Sequence, residues 1–141
     1  MIYTEKTKKA MNIAYSAHMG QIDKSGIPYI FHPLHLAEFM DTEEECVVAL
    51  LHDVVEDTNI TMEQLEQEFS SAIIEALKLL THEKSVGYMK YIKNLKNNPL
   101  AKKVKLADLK HNSDQTRLEH LSLKDIARNK KYQQAIELLE K

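Results

Sequence analysis

Apolar residues along this chain recur at three- and four-residue intervals, the period of a helix buried on one side. Ala10, Ile13, Ala14 and Ala17 form such a stripe and predict a first helix from about Thr4 to His18. The stretch Gly20 to Pro28 breaks the pattern, with Ser25-Gly26 as its turn. Pro33 suits a first helical position and predicts a second helix to about Met40. A third is expected from about Thr42 to Asp57, because Thr42 is an N-cap residue with Glu45 three positions on. Thr61 and Gln64 make a capping box for a short fourth helix. A fifth runs from Ser70 or Ser71 to about Leu80, and a sixth from about Val86 to Asn97. Asn98-Pro99 reads as cap and first turn of a seventh, reaching about Thr116. The last spans about Ser122 to Leu139; it bears no nameable chemistry and is expected to be structural or interfacial. β-branched residues never alternate. The expected fold class is all-α, a compact bundle of about eight helices.

Polar residues interrupt the apolar stripes at a few places. In the third helix, Cys46 to Leu51 is apolar all round, the mark of a buried helix. His52 and Asp53 continue its inward stripes, with Glu56 and Asp57 four residues beyond each. Three carboxylates at the negative end of a helix dipole need a cation nearby. In the seventh helix Asp108 follows Val104 on an apolar face, and Asn112 comes one turn later. His32 stands at a loop-to-helix junction ringed by Ile30, Phe31, Pro33 and Leu34. His32, His52, Asp53 and Asp108 make a mixed nitrogen and oxygen set. It suits one Mn²⁺, Fe²⁺ or Zn²⁺ ion better than the all-oxygen cage of Ca²⁺.

Composition narrows the function. The chain has 141 residues, enough for one domain with a real core, and a formal charge of −2. It holds two arginines and no basic field, so nucleic acid is not an expected partner. Cys46 is the only cysteine and lies in an apolar run, so it reads as a small buried hydrophobe in a reducing compartment. The N-terminus has no secretory apolar region, and no stretch is long and apolar enough to span a membrane. A cytoplasmic protein without membrane partners is expected; oligomeric state is not readable.

Four segments occur in a telling order: Ala17-His18-Met19-Gly20-Gln21; Lys24-Ser25-Gly26-Ile27-Pro28-Tyr29-Ile30-Phe31-His32-Pro33-Leu34; His52-Asp53-Val54-Val55-Glu56-Asp57-Thr58; and Val104-Lys105-Leu106-Ala107-Asp108 with His111-Asn112. Together they resemble the hydrolase domain of the RelA/SpoT alarmone enzymes and their small free-standing relatives, a branch of the HD superfamily. The resemblance implies a single HD domain over residues 1–141 with one Mn²⁺-type ion. It also implies hydrolysis of ppGpp or pppGpp to release the 3′-pyrophosphate. By the same resemblance His32, His52, Asp53 and Asp108 are the metal ligands, and Glu56 and Asp57 the water-activating pair. Lys24, Tyr29 and Asn112 look like substrate-side residues, and Lys105 can meet phosphate charge. Three places depart from the family pattern: Asp23 stands where the family usually has an arginine that stacks on guanine, Leu109-Lys110 follows Asp108 where an arginine often follows, and Ser113-Asp114-Gln115 replaces the usual pattern beyond Asn112. Asp23 favours an alternative, an HD phosphohydrolase for another nucleotide or phosphoester. A catalytically idle nucleotide-binding module is the remaining alternative, and the intact ligand set speaks against it.

Overall fold

Nine α-helices and one 3₁₀ turn make up the computed structural model, which describes residues 1–141. They are α1 (Glu5–Ala17), α2 (Phe31–Glu38), α3 (Glu43–Leu51), α4 (Val54–Asp57), α5 (Met62–Glu66), α6 (Ser71–Leu80), α7 (Tyr88–Leu95), α8 (Pro99–Asn112) and α9 (Leu123–Glu140); the 3₁₀ turn is Gln115–Arg117. The only extended pairing is one isolated antiparallel bridge, Ile22 with Pro28. The all-α expectation holds.

The helices start where capping chemistry puts them. Thr42, Thr61, Ser70, Asn98 and Ser122 each accept a backbone N–H from the first turn, satisfying a donor the helix leaves open. Thr61 with Gln64, and Ser122 with Asp125, close full capping boxes. α3 is the centre of the bundle and packs against α1, α2, α6 and α8. Its run Cys46–Leu51 is at most 1% exposed at every position. Full burial of side chains such as Val47, Val48, Leu50 and Leu51 stabilises by roughly 1.5–3 kcal/mol each.

Three predicted boundaries need correction. The expected third helix, Thr42 to Asp57, breaks at His52-Asp53 and becomes α3 and α4, which brings the count to nine. The cause is local. In an unbroken helix the Ala49 carbonyl would accept the Asp53 N–H. Instead the His52 Nδ1 takes that carbonyl at 2.7 Å, and Asp53 relaxes to φ −109°, ψ 0°. The expected seventh helix stops at Asn112, not Thr116. There the Ser113 hydroxyl donates to the Leu109 carbonyl at 2.6 Å, and the Asp114 carboxylate accepts the Thr116 N–H at 3.0 Å. Both bonds offer the backbone an alternative to helix. α2 begins at Phe31, so Pro33 is its third residue; its missing N–H is one the first turn leaves free in any case.

The α1–α2 connection is short and tightly folded. Gly20 and Gly26 have φ of 87° and 85°, a region that side chains resist. Asp23 organises the turn: its Oδ1 accepts from the Ser25 N–H at 2.8 Å, the Ile27 N–H at 3.1 Å and the Ser25 hydroxyl at 2.6 Å.

Candidate metal centre and substrate pocket

α2, the α3–α4 break and α8 deliver four side chains to one buried point. His32, His52 and Asp108 are each at most 4% exposed. One donor atom each from His32, His52 and Asp53 fits within 4.8 Å of the others. Asp108 closes the group: its Oδ1 lies 2.8 Å from His32 Nε2 and 3.4 Å from His52 Nε2. Each member is held from behind. The Ala49 carbonyl fixes His52 Nδ1; the Tyr29 hydroxyl donates to Asp53 Oδ2; His111 Nδ1 lies 2.7 Å from His32 Nδ1. Asp108 accepts from Lys105 Nζ at 2.9 Å and from Asn112 Nδ2 at 3.1 Å.

His52 shows what this point lacks. With its Nδ1 proton spent on Ala49, a neutral His52 presents a lone pair at Nε2. That atom is buried without an aligned hydrogen-bond partner, yet carboxylate oxygens of Asp53 and Asp108 stand 3.1 and 3.4 Å away. Lone pairs facing lone pairs repel, so either a second proton on His52 or a metal cation belongs between them. Burial opposes a charged His52, but Asp53 and Asp108 outweigh it and drive its pKa well above the usual range, another sign of unmet demand for positive charge. Two imidazole nitrogens and two carboxylates fit a divalent transition ion.

A pocket of about 280 Å³ opens from this point. Asp53, Glu56, Asp57 and Asp108 face Lys105 and Lys131 across it, four carboxylates against two ammonium groups. Lys105 is committed to Asp108 and stands over the Tyr91 ring, 5.2 Å from its centroid. Lys131 has only aromatic neighbours, its Nζ 4.4 Å from the Tyr88 centroid. Glu56 accepts the His82 N–H at 2.8 Å, which ties α4 to the end of α6. The Asp57 backbone is tied elsewhere: its carbonyl accepts from Gln21 Nε2 at 2.9 Å, and Gln21 Oε1 in turn pairs with buried His18 Nδ1 at 2.8 Å.

Comparison with known proteins now decides the family. The family model described as HD domain matches residues 10–121. The chain belongs to the HD-domain family. It is 36% identical over 115 residues to a guanosine-3′,5′-bis(diphosphate) 3′-pyrophosphohydrolase of Haemophilus influenzae, covering 71% of this chain and 17% of that protein. It is 42% identical over 77 residues to the protein of the same name from Borreliella burgdorferi, covering 52% of this chain and 12% of the relative. The chloroplastic putative GTP diphosphokinase RSH1 of Arabidopsis thaliana is 40% identical over 91 residues, 61% of this chain and 10% of the relative. The chain thus spans 10% to 17% of the length of these curated relatives. A solved structure described as a metazoan ortholog of SpoT that hydrolyzes ppGpp and plays a role in starvation responses has the same fold, with TM-score 0.78 at 21% identity; the match covers 99% of this chain and 87% of that one.

Within this HD domain the ten predicted site residues do not all fall in one place. His32, His52, Asp53 and Asp108 converge. Glu56, Asp57, Lys105 and Asn112 line the pocket. Tyr29 instead holds Asp53 from behind; burial, then the Asp53 charge, raises its pKa and keeps it a hydrogen-bond donor. Lys24 does not line the pocket; its ammonium is 5.8 Å from the centroid of Tyr132, which does. Lys131 and Tyr132 are not among the sequence-predicted residues, although they lie four and three residues before Ala135 on the stripe that runs on to Leu139, the spacing that could have flagged them. His111 and His35, outside the predicted set, stack on one another at 4.1 Å, and His111 lies against His32. α9, expected to be structural or interfacial, also lines the pocket through Lys131 and Tyr132.

Asp57 carries a measurable consequence. Burial, then the charges of Asp53 and Glu56, raises its pKa from 3.8 to about 6. A raised folded-state pKa favours the folded protein fully below the unfolded value, and that advantage is lost as pH rises through the folded one. Charged Asp57 therefore costs stability in the metal-free protein above about pH 6. Asp57→Asn is expected to raise the Tm of chelator-treated protein near neutrality, with the gain shrinking as pH falls between about 6 and 4. Calorimetry across that range checks it; an unchanged Tm at about pH 7.5 would mean that Asp57 feels no such strain.

Proposed function

We propose that this HD domain is a Mn²⁺-dependent phosphohydrolase of residues 1–141, which removes the 3′-pyrophosphate from guanosine tetra- or pentaphosphate. The observation that carries the metal part is the unpartnered His52 Nε2 facing two carboxylates. The substrate class rests on relatives named for this hydrolysis, 34% to 42% identical over their matched segments. No helix is long and apolar enough to cross a membrane, in keeping with a small soluble substrate.

His32, His52, Asp53 and Asp108 would hold the ion. When bound, it would make water more acidic and polarise a phosphoryl oxygen. Asp57 would take the proton from the attacking water; a carboxylate whose pKa is raised to about 6 is a better base than an ordinary one. Glu56, anchored to the His82 N–H, keeps a second carboxylate oxygen for aiming that water. Lys131 is the pocket cation without an ion-pair partner and would meet phosphate charge; Lys105 balances Asp108 first. Asn112 lines the same wall.

A second reading, hydrolysis of other purine nucleotides as well, draws on Asp23. Its Oδ2 pairs with Arg117 at 2.7 Å, and Arg117 also donates to the His111 carbonyl at 3.0 Å. Arg117 then offers a face for stacking, while two of its donors are taken. A face holds any base and reads none.

Incubation with Mn²⁺ and ppGpp, followed by phosphorus NMR, is expected to show pyrophosphate and GDP. Wild-type protein should bind about one ion per chain, and an Asp53→Ala, Asp108→Ala double variant almost none; equal metal in both would remove the basis of the proposal. For the catalytic pair, Glu56→Gln and Asp57→Asn should keep metal while at least one loses about a hundredfold or more in kcat. Near-normal turnover in both would leave these carboxylates structural. On base choice, kcat/KM for ppGpp and its adenosine analogue should differ by less than about a thousandfold, roughly 4 kcal/mol. A larger preference would show that other groups read guanine.

A further inference from the structure

Three of the four converging side chains have holders that define their geometry unambiguously: a backbone carbonyl for His52, a phenol for Asp53, an ammonium and an amide for Asp108. His32 is different. Its distal nitrogen faces another imidazole, His111 Nδ1 at 2.7 Å, with the two rings 8° from parallel. One proton serves that contact, and either ring can carry it. An ion on His32 Nε2 removes the choice: His32 must then be the Nδ1–H tautomer, and His111 must accept through a bare Nδ1.

We propose that His111 is the positioning residue of His32, fixing its tautomer and ring angle for the ion. The inference rests on the proposed metal site and adds to it a group that touches neither ion nor substrate. The surroundings of His111 suit the task. It sits on α8 three residues after Asp108, so one rigid helix orients both a proposed ligand and the holder of another. His35, from α2, stacks on its ring at 4.1 Å. Arg117 donates to its backbone carbonyl and is itself anchored by Asp23 in the α1–α2 connection. Asp23, whose Oδ1 shapes its own turn, thereby braces the backbone of His111 through Arg117 with its Oδ2.

The test uses metal affinity, read by calorimetric titration of Mn²⁺ into the chelator-treated full chain, with no substrate present. His111→Leu fills similar space and cannot accept; His111→Gln offers an amide oxygen to the His32 Nδ1–H. The leucine variant is expected to weaken Kd by about 10–100-fold, and the glutamine variant to stay within about threefold of wild type. Equal Kd for wild type and the leucine variant, both folded by circular dichroism, would overturn the proposal, as would equal weakening in both variants. If the leucine variant does not fold, the wild-type protein still decides. Loaded with diamagnetic Zn²⁺ and labelled at histidine, it should show nitrogen–nitrogen coupling across the His32–His111 bond with the proton on His32. Absence of that coupling, or a proton on His111, overturns the proposal while leaving metal binding and turnover intact. Wild-type protein that binds no metal overturns the proposed function, and this inference with it.

Discussion

A buried imidazole nitrogen between two carboxylates is the constraint around which this HD domain is arranged. His52 Nε2 has Asp53 and Asp108 oxygens within 3.4 Å, and its Nδ1 is already spent on the Ala49 carbonyl. Such a cluster is tolerable only if the scaffold is rigid and a cation is available. Rigidity comes from α3, whose six innermost residues are at most 1% exposed and press on four other helices. Part of the positive charge comes from Lys105. Burial alone would raise the Asp108 pKa; the Lys105 ammonium and the two histidines reverse that and hold it well below the usual carboxylate range. The remainder of the demand falls on His52, which Asp53 and Asp108 drive to hold a second proton, the place that a metal ion would take.

The same constraint explains what could be read from the sequence and what could not. Helix existence was legible because caps and apolar stripes are local features: Thr42, Thr61, Ser70, Asn98 and Ser122 cap where expected. The proposed ligands were legible because a polar residue on an apolar stripe is anomalous within a single helix. The α3–α4 break was not, since periodicity continues through His52-Asp53, and only a side-chain bond to Ala49 marks the interruption. Its effect is functional in direction: Asp53, freed from helical geometry, can approach His52 to 3.1 Å. Lys131 and Tyr132 had only a weak local signature, their place on the stripe of Ala135 and Leu139; that this stripe borders the pocket follows from the packing of α9 on α7 and α8, a long-range fact.

The pocket's electrostatics assign different tasks to residues of one type. Of two pocket lysines, one is nearly buried and spent on Asp108, the other is exposed and free of carboxylates. Of two adjacent carboxylates, Glu56 is anchored on a backbone N–H, while Asp57 rises to a pKa of about 6 because burial and like charges press on it. Strain of that kind lowers stability and is retained at sites where charge must later be compensated or a proton moved.

Asp23 shows how a reading by sequence position alone can mislead. In isolation an aspartate beside Lys24 removes a stacking cation and adds repulsion toward phosphates. In the fold, Arg117, 94 residues away in sequence, lies against it at 2.7 Å. Beyond their immediate surroundings the two charges largely cancel, since an opposed pair presents a dipole and not a net charge. A guanidinium therefore does stand beside this loop, but with donors directed at Asp23 and the His111 carbonyl. Under the proposed nucleotide reading, the departure from the family pattern therefore bears on the base more than on the phosphates. The pair also couples the α1–α2 loop to the backbone of His111, whose ring stands behind His32, so a substitution at residue 23 reaches α8 as well as its own loop.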